Sequence, residues 1–114
     1  MTSKNLNLKL ITFLPELKSA YQDEVSWQEG DDTGSHIVFE DVLLPYLLEQ
    51  LERGQKETVK RIFDTIEHLL TLRDEYVENV IALSFLEGLF YEPQAAKACR
   101  AFMGEKTEKI FCAF

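Results

Sequence analysis

Apolar residues recur at three- and four-residue steps through most of the chain, which is the spacing of one face of an α-helix. The clearest case lies between residues 54 and 73, where the charged residues fall mostly on the opposite face. The apolar face of this segment consists of Val59, Ile62, Phe63, Ile66, Leu69 and Leu70. This pattern predicts an amphipathic helix that packs one side against a core.

The same spacing predicts further helices on both sides of this segment. We expect helices over residues 13–27, 36–53 and 74–90, and one that follows Pro93 and stops at Gly104. The helix over residues 74–90 is apolar on two sides, which is typical of a central helix. These segments together account for most of the chain and contain no clear strand pattern.

A few residues predict how these helices begin, bend and approach each other. Thr12 is a candidate N-terminal cap for the helix over residues 13–27. Pro45 predicts a kink or a fresh start within its helix, and Gly54 is placed to end that helix. Ser84 and Gly88 are small and four residues apart, so we expect a neighbouring helix to approach them closely.

Three other segments complete the predicted fold. Residues 28–35 form a polar, glycine-containing loop. Apolar and polar residues alternate over residues 6–10, and this pattern fits either a short strand or a helix. The apolar tail over residues 110–114 is expected to dock on the core. We therefore predict an all-α fold in which residues 1–114 form a single compact domain. About five or six helices would pack as helical hairpins, like a short helical-repeat bundle.

The length and composition agree with one soluble domain. The chain has 114 residues, of which 46% are hydrophobic and 28% charged. Its longest uncharged apolar run, residues 42–48, is too short to span a bilayer, and no secretory signal precedes it, so we expect a cytoplasmic protein. In that compartment Cys99 and Cys112 are expected to be thiols that pack as small buried residues, with a regulatory disulfide as the alternative.

The net charge of −8 is concentrated in one part of the chain. Residues 16–52 contain ten acidic residues and a single basic one, Lys18, so this segment alone has a charge of −9. Such a field repels nucleic acid and attracts a basic partner at an increased association rate. The charge distribution thus excludes nucleic-acid binding and favours binding of a basic protein.

Two aromatic residues, Tyr21 and Trp27, lie among these acids. Exposed aromatic rings beside charged groups are typical of the residues that contribute most to protein binding. We therefore predict a partner-binding surface formed by Tyr21, Asp23, Glu24, Trp27, Glu29, Asp31, Asp32, His36, Glu40 and Asp41. The alternative is that Tyr21 and Trp27 pack inward and the acids only keep the surface soluble.

No set of residues predicts catalysis, a metal site or a cofactor. The glycine-rich nucleotide-binding patterns, the zinc-protease pattern and the serine-hydrolase pattern are absent from the sequence. Asp64 and His68, with Glu67 beside them, share a helix face but supply too few metal ligands. Glu87 interrupts an apolar run, and we expect it to pair with Arg100, Lys97 or a loop amide at the helix edge.

Four groups of residues stand out by their order along the chain: Leu14-Pro15-Glu16-Leu17 with Tyr21, Ser35-His36-Ile37-Val38-Phe39-Glu40-Asp41-Val42, Ile66-Glu67, and Val80-Ile81-Ala82-Leu83-Ser84-Phe85-Leu86-Glu87-Gly88-Leu89. Together they resemble a family of small bacterial helical proteins from polymorphic toxin systems, which includes immunity proteins of contact-dependent growth inhibition. The resemblance implies an all-helical fold and tight inhibition of a cognate toxin, often a nuclease. It implies no catalytic residues.

The resemblance implies an immunity protein, and the acidic surface fits one that occludes the active site of a basic, nuclease-type toxin domain. Two other functions remain open. One is a helical adaptor or scaffold that binds a different protein, and the other is an enzyme or metal protein built around Glu87, His68 and Asp64. In the free state the protein would be a monomer or a homodimer, since the apolar tail and the helix over residues 74–90 suit either.

Overall fold

Helices account for all the regular secondary structure in the computed structural model, which describes residues 1–114. Seven helices follow one another along the chain: α1 is Ser3–Phe13, α2 is Lys18–Ser26, α3 begins at Ser35 and ends at Glu52, α4 is Lys56–Leu70, α5 begins at Glu75 and ends at Phe90, α6 is Pro93–Cys99, and α7 is Glu105–Phe111. Short 3-10 turns cover Pro15–Leu17, Gly30–Asp32 and Arg100–Phe102. The predicted single all-α domain is confirmed.

The chain has more helices than expected because both ends form helices of their own. Residues 6–10, for which the sequence allowed either a strand or a helix, lie within helix α1. Thr2 caps this helix, because its hydroxyl oxygen accepts a hydrogen bond from the Asn5 N–H at 3.1 Å. The prediction that Thr12 caps the next helix is wrong. The Thr12 hydroxyl donates back to the Leu8 carbonyl within α1 at 2.8 Å, and Pro15 begins the turn that leads into α2.

The core is one continuous cluster of 26 buried apolar side chains, to which all seven helices contribute. The predicted apolar face of α4 is confirmed, because all six of its residues are buried. Phe63 of α4 meets Phe85 of α5 with 6.1 Å between the ring centroids, near the centre of the molecule. Each such buried side chain stabilises the fold by about 1.5–3 kcal/mol relative to its exposure.

Two helices contain a wider, π-helical turn, and these turns pack against each other. The first covers Phe39–Leu43 in α3, and the second covers Ala82–Leu86 in α5. Pro45 has no N–H to donate to the carbonyl four residues before it, and its ring would collide with that carbonyl in a regular helix. The wide turn just before Pro45 relieves this conflict. The regular α-helix starts again at Leu44, and the backbone stays helical throughout α3.

Small residues on α5 permit the close crossing with α3, as expected. A Cβ atom built on Gly88 would lie 2.6 Å from the Leu44 Cδ2 atom, so a larger residue cannot fit without moving that side chain. One turn earlier, the Ser84 hydroxyl lies 2.5 Å from the His36 Nδ1 atom. Both contacts join the two helices near their π-helical turns.

The prediction that α5 is buried on two sides holds only in part. Its main face is buried, whereas Leu83 and Phe90 on the second face are 58% and 43% exposed. The expectation of two buried cysteines is likewise correct for Cys99, whose burial raises its thiol pKa to about 12, and wrong for Cys112, which is exposed. Both are free thiols. None of the helices combines the length and the apolar character needed to cross a bilayer.

The C-terminal segment docks on the core, and a carboxylate from α4 caps its helix. Phe111 of α7 is buried, and α7 packs against α4. Glu67 of α4 accepts hydrogen bonds from the N–H groups of Lys106 and Thr107, at 3.0 and 2.9 Å, and from the Thr107 hydroxyl at 2.9 Å. A carboxylate there accepts hydrogen bonds from the free N–H groups of the first turn and is stabilised by the positive end of the helix dipole.

Candidate functional site

Trp27 begins the loop that connects α2 to α3, residues 27–34, which we call the acidic loop. Its side chain is 72% exposed, more than any other large apolar side chain of the protein, and it makes no hydrogen bond or ring contact. At the end of α2 the Gln28 amide donates to the Glu24 carboxylate at 2.8 Å, which links the side chains of two residues on either side of Trp27 in the sequence. Of the predicted aromatic anchors, Trp27 is thus exposed.

A buried amide from α1 holds the acidic loop against the domain. Asn7 is fully buried, and its Nδ2 atom donates to the carbonyls of Thr33 and Asp31 at 2.7 and 3.2 Å. Its Oδ1 atom accepts a hydrogen bond from the Ser35 hydroxyl at 2.8 Å. One side chain thereby bonds both the loop and the start of α3.

The loop also contains internal hydrogen bonds and a residue with a left-handed backbone. The Thr33 hydroxyl donates to the Gly30 carbonyl at 2.7 Å and accepts from the Glu29 N–H at 3.2 Å. Gly30 has a φ of +60°, a conformation that costs glycine little and other residues more. With Asn7, these contacts give the loop a single defined shape.

Tyr21 is not an exposed anchor, so the prediction for this residue needs correction. Its ring is buried in the core because position 21 falls on the inner face of α2 with Leu17 and Val25. Its hydroxyl donates to the Asp31 Oδ1 atom at 2.6 Å, and burial together with this bond to Asp31 raises the pKa of Tyr21 well above its usual range. Tyr21 therefore positions Asp31.

The acids near Trp27 are not neutralised by basic side chains. No ion pair of the protein involves a carboxylate between residues 23 and 41, whereas Glu16 and Glu49, outside that range, pair with Arg61 and Arg53. Seven carboxylates lie in this range and form no ion pair: Asp23, Glu24, Glu29, Asp31, Asp32, Glu40 and Asp41. All of them are exposed except Glu24, which is half-buried. The result is an unneutralised negative surface around an exposed indole.

The remaining predicted binding residues lie on α3. Glu40 and Asp41 are exposed in its π-helical turn, and α2 packs against that turn. His36 is half-buried and faces α5, where it contacts Ser84 and lies edge-on to the Tyr76 ring with 5.9 Å between centroids. His36 therefore links two helices, and the exposed part of the predicted surface consists of Trp27 and the carboxylates.

The three residues of α4 that were weighed for metal binding each contact a different part of the protein. Asp64 pairs with Lys60 at 2.7 Å, Glu67 caps α7, and the ring of His68 packs on Phe13 with 4.9 Å between centroids. The expected partner of Glu87 is absent, since this half-buried carboxylate makes no ion pair or side-chain hydrogen bond. No group of three or more potential ligands is placed to bind a metal ion.

Two residues of structural importance were missed from the sequence, Asn7 and Glu67. If residues 6–10 are taken as a helix, Asn7 shares a face with Leu10 and Leu14, which would have indicated a buried amide with polar partners. Glu67 had no comparable signal. Its partners Lys106 and Thr107 are separated from it by about forty residues of sequence.

One comparison with known proteins gives a match. A family model described as a domain of unknown function, DUF7674, matches residues 7–114, which is nearly the whole chain. No curated protein and no solved structure matches. The match includes the buried amide, the acidic loop and the α7 cap.

Proposed function

The chain belongs to the DUF7674 family, and we propose that it is an immunity protein that neutralises a basic, nuclease-type toxin by covering its active site with the surface around Trp27. The observation that supports this most directly is the exposed indole of Trp27 among carboxylates that have no basic partner within the protein. An indole with this exposure is an anchor that a partner can bury.

The charge of this surface determines the kind of partner. Residues 16–52 have a net charge of −9, and the carboxylates between residues 23 and 41 form no internal ion pairs. A partner with a basic cleft would be drawn to this surface by long-range attraction, and its association would slow as salt screens the charges. Nucleases bind a polyanion, so their active-site clefts have the required positive potential.

The rigidity of the loop supports inhibition by occlusion. Asn7 and Tyr21 bond the acidic loop from α1 and α2, and Thr33 bonds it internally, before any partner arrives. Little conformational entropy then remains to be lost on binding, which favours high affinity. Within this proposal Trp27 is the anchor, the carboxylates provide attraction, and Tyr21 keeps Asp31 in place.

A helical adaptor is the second candidate function. It would share the acidic surface but bind a partner that is not toxic, and its helices would stack as hairpins in the manner of short helical repeats. The observation in its favour is a second exposed apolar surface at the C-terminal end, where Phe90, Tyr91 and Phe114 are 43%, 71% and 41% exposed. A single-surface inhibitor has no need of it.

The test begins with identification of the partner. Tagged protein is purified from its native cells with bound proteins, and the captured partner is then expressed alone and together with this chain. We expect a basic protein whose expression stops growth and whose effect is cancelled by co-expression. A captured partner that is harmless when expressed alone would contradict neutralisation and support the adaptor.

Two substitutions then test the surface on the purified complex. Trp27→Ala should weaken binding by about thirtyfold, equivalent to about 2 kcal/mol, because the anchor is removed. Asp32→Lys should slow association at low salt. We choose Asp32 because its side chain makes no hydrogen bond or ion pair, whereas a change at Asp31 would also remove the bond to Tyr21. Glu57→Lys makes the same charge change at another exposed, unpaired site. Equal effects of the two lysine variants would exclude the acidic loop from the interface.

A further inference from the structure

A second surface, formed by the end of α5 with α6 and α7, is apolar and has the opposite charge. Its uncharged lining residues are Phe90, Tyr91, Pro93, Ala96 and Phe111, and its charged lining residues are Lys97 and Arg100. We call this depression the aromatic groove. No carboxylate lines it, although the chain as a whole has a net charge of −8.

The rings of the aromatic groove support one another, and those of Phe90 and Tyr91 stay partly open to solvent. The Phe90 ring lies 5.6 Å from Tyr91, 6.1 Å from Phe111 and 5.8 Å from Phe114 between centroids. Tyr91 is 71% exposed, and its hydroxyl makes no hydrogen bond within the protein. A partner can therefore bury apolar surface here without first breaking a hydrogen bond of the Tyr91 hydroxyl.

The two cations differ in how freely they could meet a ligand. Lys97 is exposed and forms no ion pair. Arg100 lies over the Phe111 ring at 5.8 Å, donates to the Cys112 Sγ atom at 3.2 Å, and lies 3.5 Å from the Glu108 carboxylate in a solvent-exposed pair. A solvent-exposed pair of this kind is weak, so its guanidinium remains able to bind another carboxylate.

We propose that the aromatic groove binds a segment of a partner protein that combines an apolar side chain with a carboxylate. The apolar side chain would pack on Phe90, Tyr91 and Phe111, and the carboxylate would meet Lys97 and Arg100. Charge complementarity selects this occupant. The acidic loop selects a basic partner, so the two surfaces recognise opposite chemistry.

A library experiment tests this proposal with a stated probe. Random twelve-residue peptides displayed on phage are selected on the full-length protein, and the enriched peptides are synthesised with a fluorescent label. We expect them to combine an aromatic or aliphatic residue with at least one acidic residue. Enrichment of basic or uncharged peptides, or of none, would overturn the proposal.

Matched variants locate the binding site of those peptides. Lys97→Glu and Tyr91→Ser should each weaken binding by about tenfold or more in fluorescence anisotropy, because one removes the charge and the other the apolar contact. Lys109→Glu has the same charge change on α7 outside the aromatic groove and should leave binding within about twofold. Thermal unfolding followed by circular dichroism confirms that each variant is folded.

The alternatives give distinct outcomes. A second copy of the chain could occupy the aromatic groove with its acidic loop, in which Trp27 would be the apolar side chain. Sedimentation would then show association that depends on protein concentration, and either Trp27→Ala or Tyr91→Ser would abolish that association. This result would overturn the proposal. If a lipid surface occupied it, the protein would bind vesicles of anionic phospholipid while the acidic peptides failed to bind. Equal binding of the peptides to Lys97→Glu and to the native protein would also exclude the site.

Discussion

The acidic loop and α7 are each hydrogen-bonded to a polar side chain from a helix that is distant in the sequence, and these two side chains, Asn7 and Glu67, differ in charge. Asn7 is neutral and fully buried, and it bonds the backbone of the loop from α1. Glu67 is charged and half-buried, and it bonds the first turn of α7 from α4. The comparison shows how the charge of an anchor suits the segment that it holds.

An amide suits the acidic loop because it leaves the charge of that loop unchanged. A lysine at position 7 would neutralise part of the negative surface, and a carboxylate there would repel Asp31 and Asp32. A carboxylate suits α7 because the free N–H groups of a helix start favour negative charge. The neutral anchor is therefore insensitive to pH and salt, whereas the charged anchor depends on both.

The largest expected effect comes from removal of the neutral anchor. Asn7→Ala leaves the Thr33 carbonyl and the Ser35 hydroxyl without their buried partner, and it opens a small cavity. We expect a loss of about 3 kcal/mol in the free energy of unfolding, measured by urea denaturation. Amide hydrogens of the acidic loop should also exchange faster with solvent, because the loop is no longer bonded to α1.

A neighbouring residue provides the control for this change. Asn5 lies on the same helix, its side chain is exposed, and only its backbone N–H is hydrogen-bonded to Thr2. Asn5→Ala should change stability by less than about 0.5 kcal/mol. If Asn7→Ala were equally mild, the amide would not be the anchor of the loop.

A smaller effect is expected from crowding the charged anchor. A Cβ atom built on Gly104 would lie 2.5 Å from the Glu67 Oε1 atom, so Gly104→Ala should push the carboxylate away from the α7 cap. We expect a loss of about 1–2 kcal/mol, measured by urea denaturation, because the cap bonds weaken. Gly34→Ala is the control, since nothing lies within 4 Å of its Cβ position and it should be nearly neutral.

The sequence was sufficient to predict those parts of the fold that depend on local periodicity. The buried face of α4 and the close approach at Gly88 follow from the spacing of side chains on a single helix. Local periodicity also places Tyr21 on the inner face of α2 with Leu17 and Val25, which is the inward packing that was kept as the alternative to an exposed anchor. Trp27 lies at the end of that helix, so its exposure could not be decided by the same pattern.

The long-range anchors could not be predicted because they depend on where distant segments meet. Asn7 and Thr33 are 26 residues apart, and Glu67 and Thr107 are 40 apart. From the sequence, Glu67 is a neighbour of a weak metal candidate and part of one segment of the resemblance, and Gly104 is the end of a helix. Their contact exists because α7 returns to pack on α4, which no local pattern in either segment indicates.

The smallest effect, and the sharpest test of the difference between the anchors, is the pH dependence of Glu67. Burial alone would raise its pKa, but the hydrogen bonds from Thr107 and Lys106 outweigh burial and lower the pKa below the ordinary value of 4.5. A carboxyl whose pKa is lower in the folded state stabilises the fold above its unfolded pKa. That stabilisation disappears as the pH falls from about 4.5 through the folded pKa.

Glu67→Gln resembles the protonated form at every pH, so its stability should differ from that of the native protein only where the native carboxylate is charged. We expect the variant to be less stable by about 0.5–1 kcal/mol at pH 7, in urea denaturation repeated between pH 7 and 3. The two curves should converge below pH 4.5. Glu57→Gln, at an exposed unpaired site, should follow the native curve. A difference for Glu67→Gln that persisted unchanged at pH 3 would mean that shape, and not charge, makes Glu67 the cap of α7.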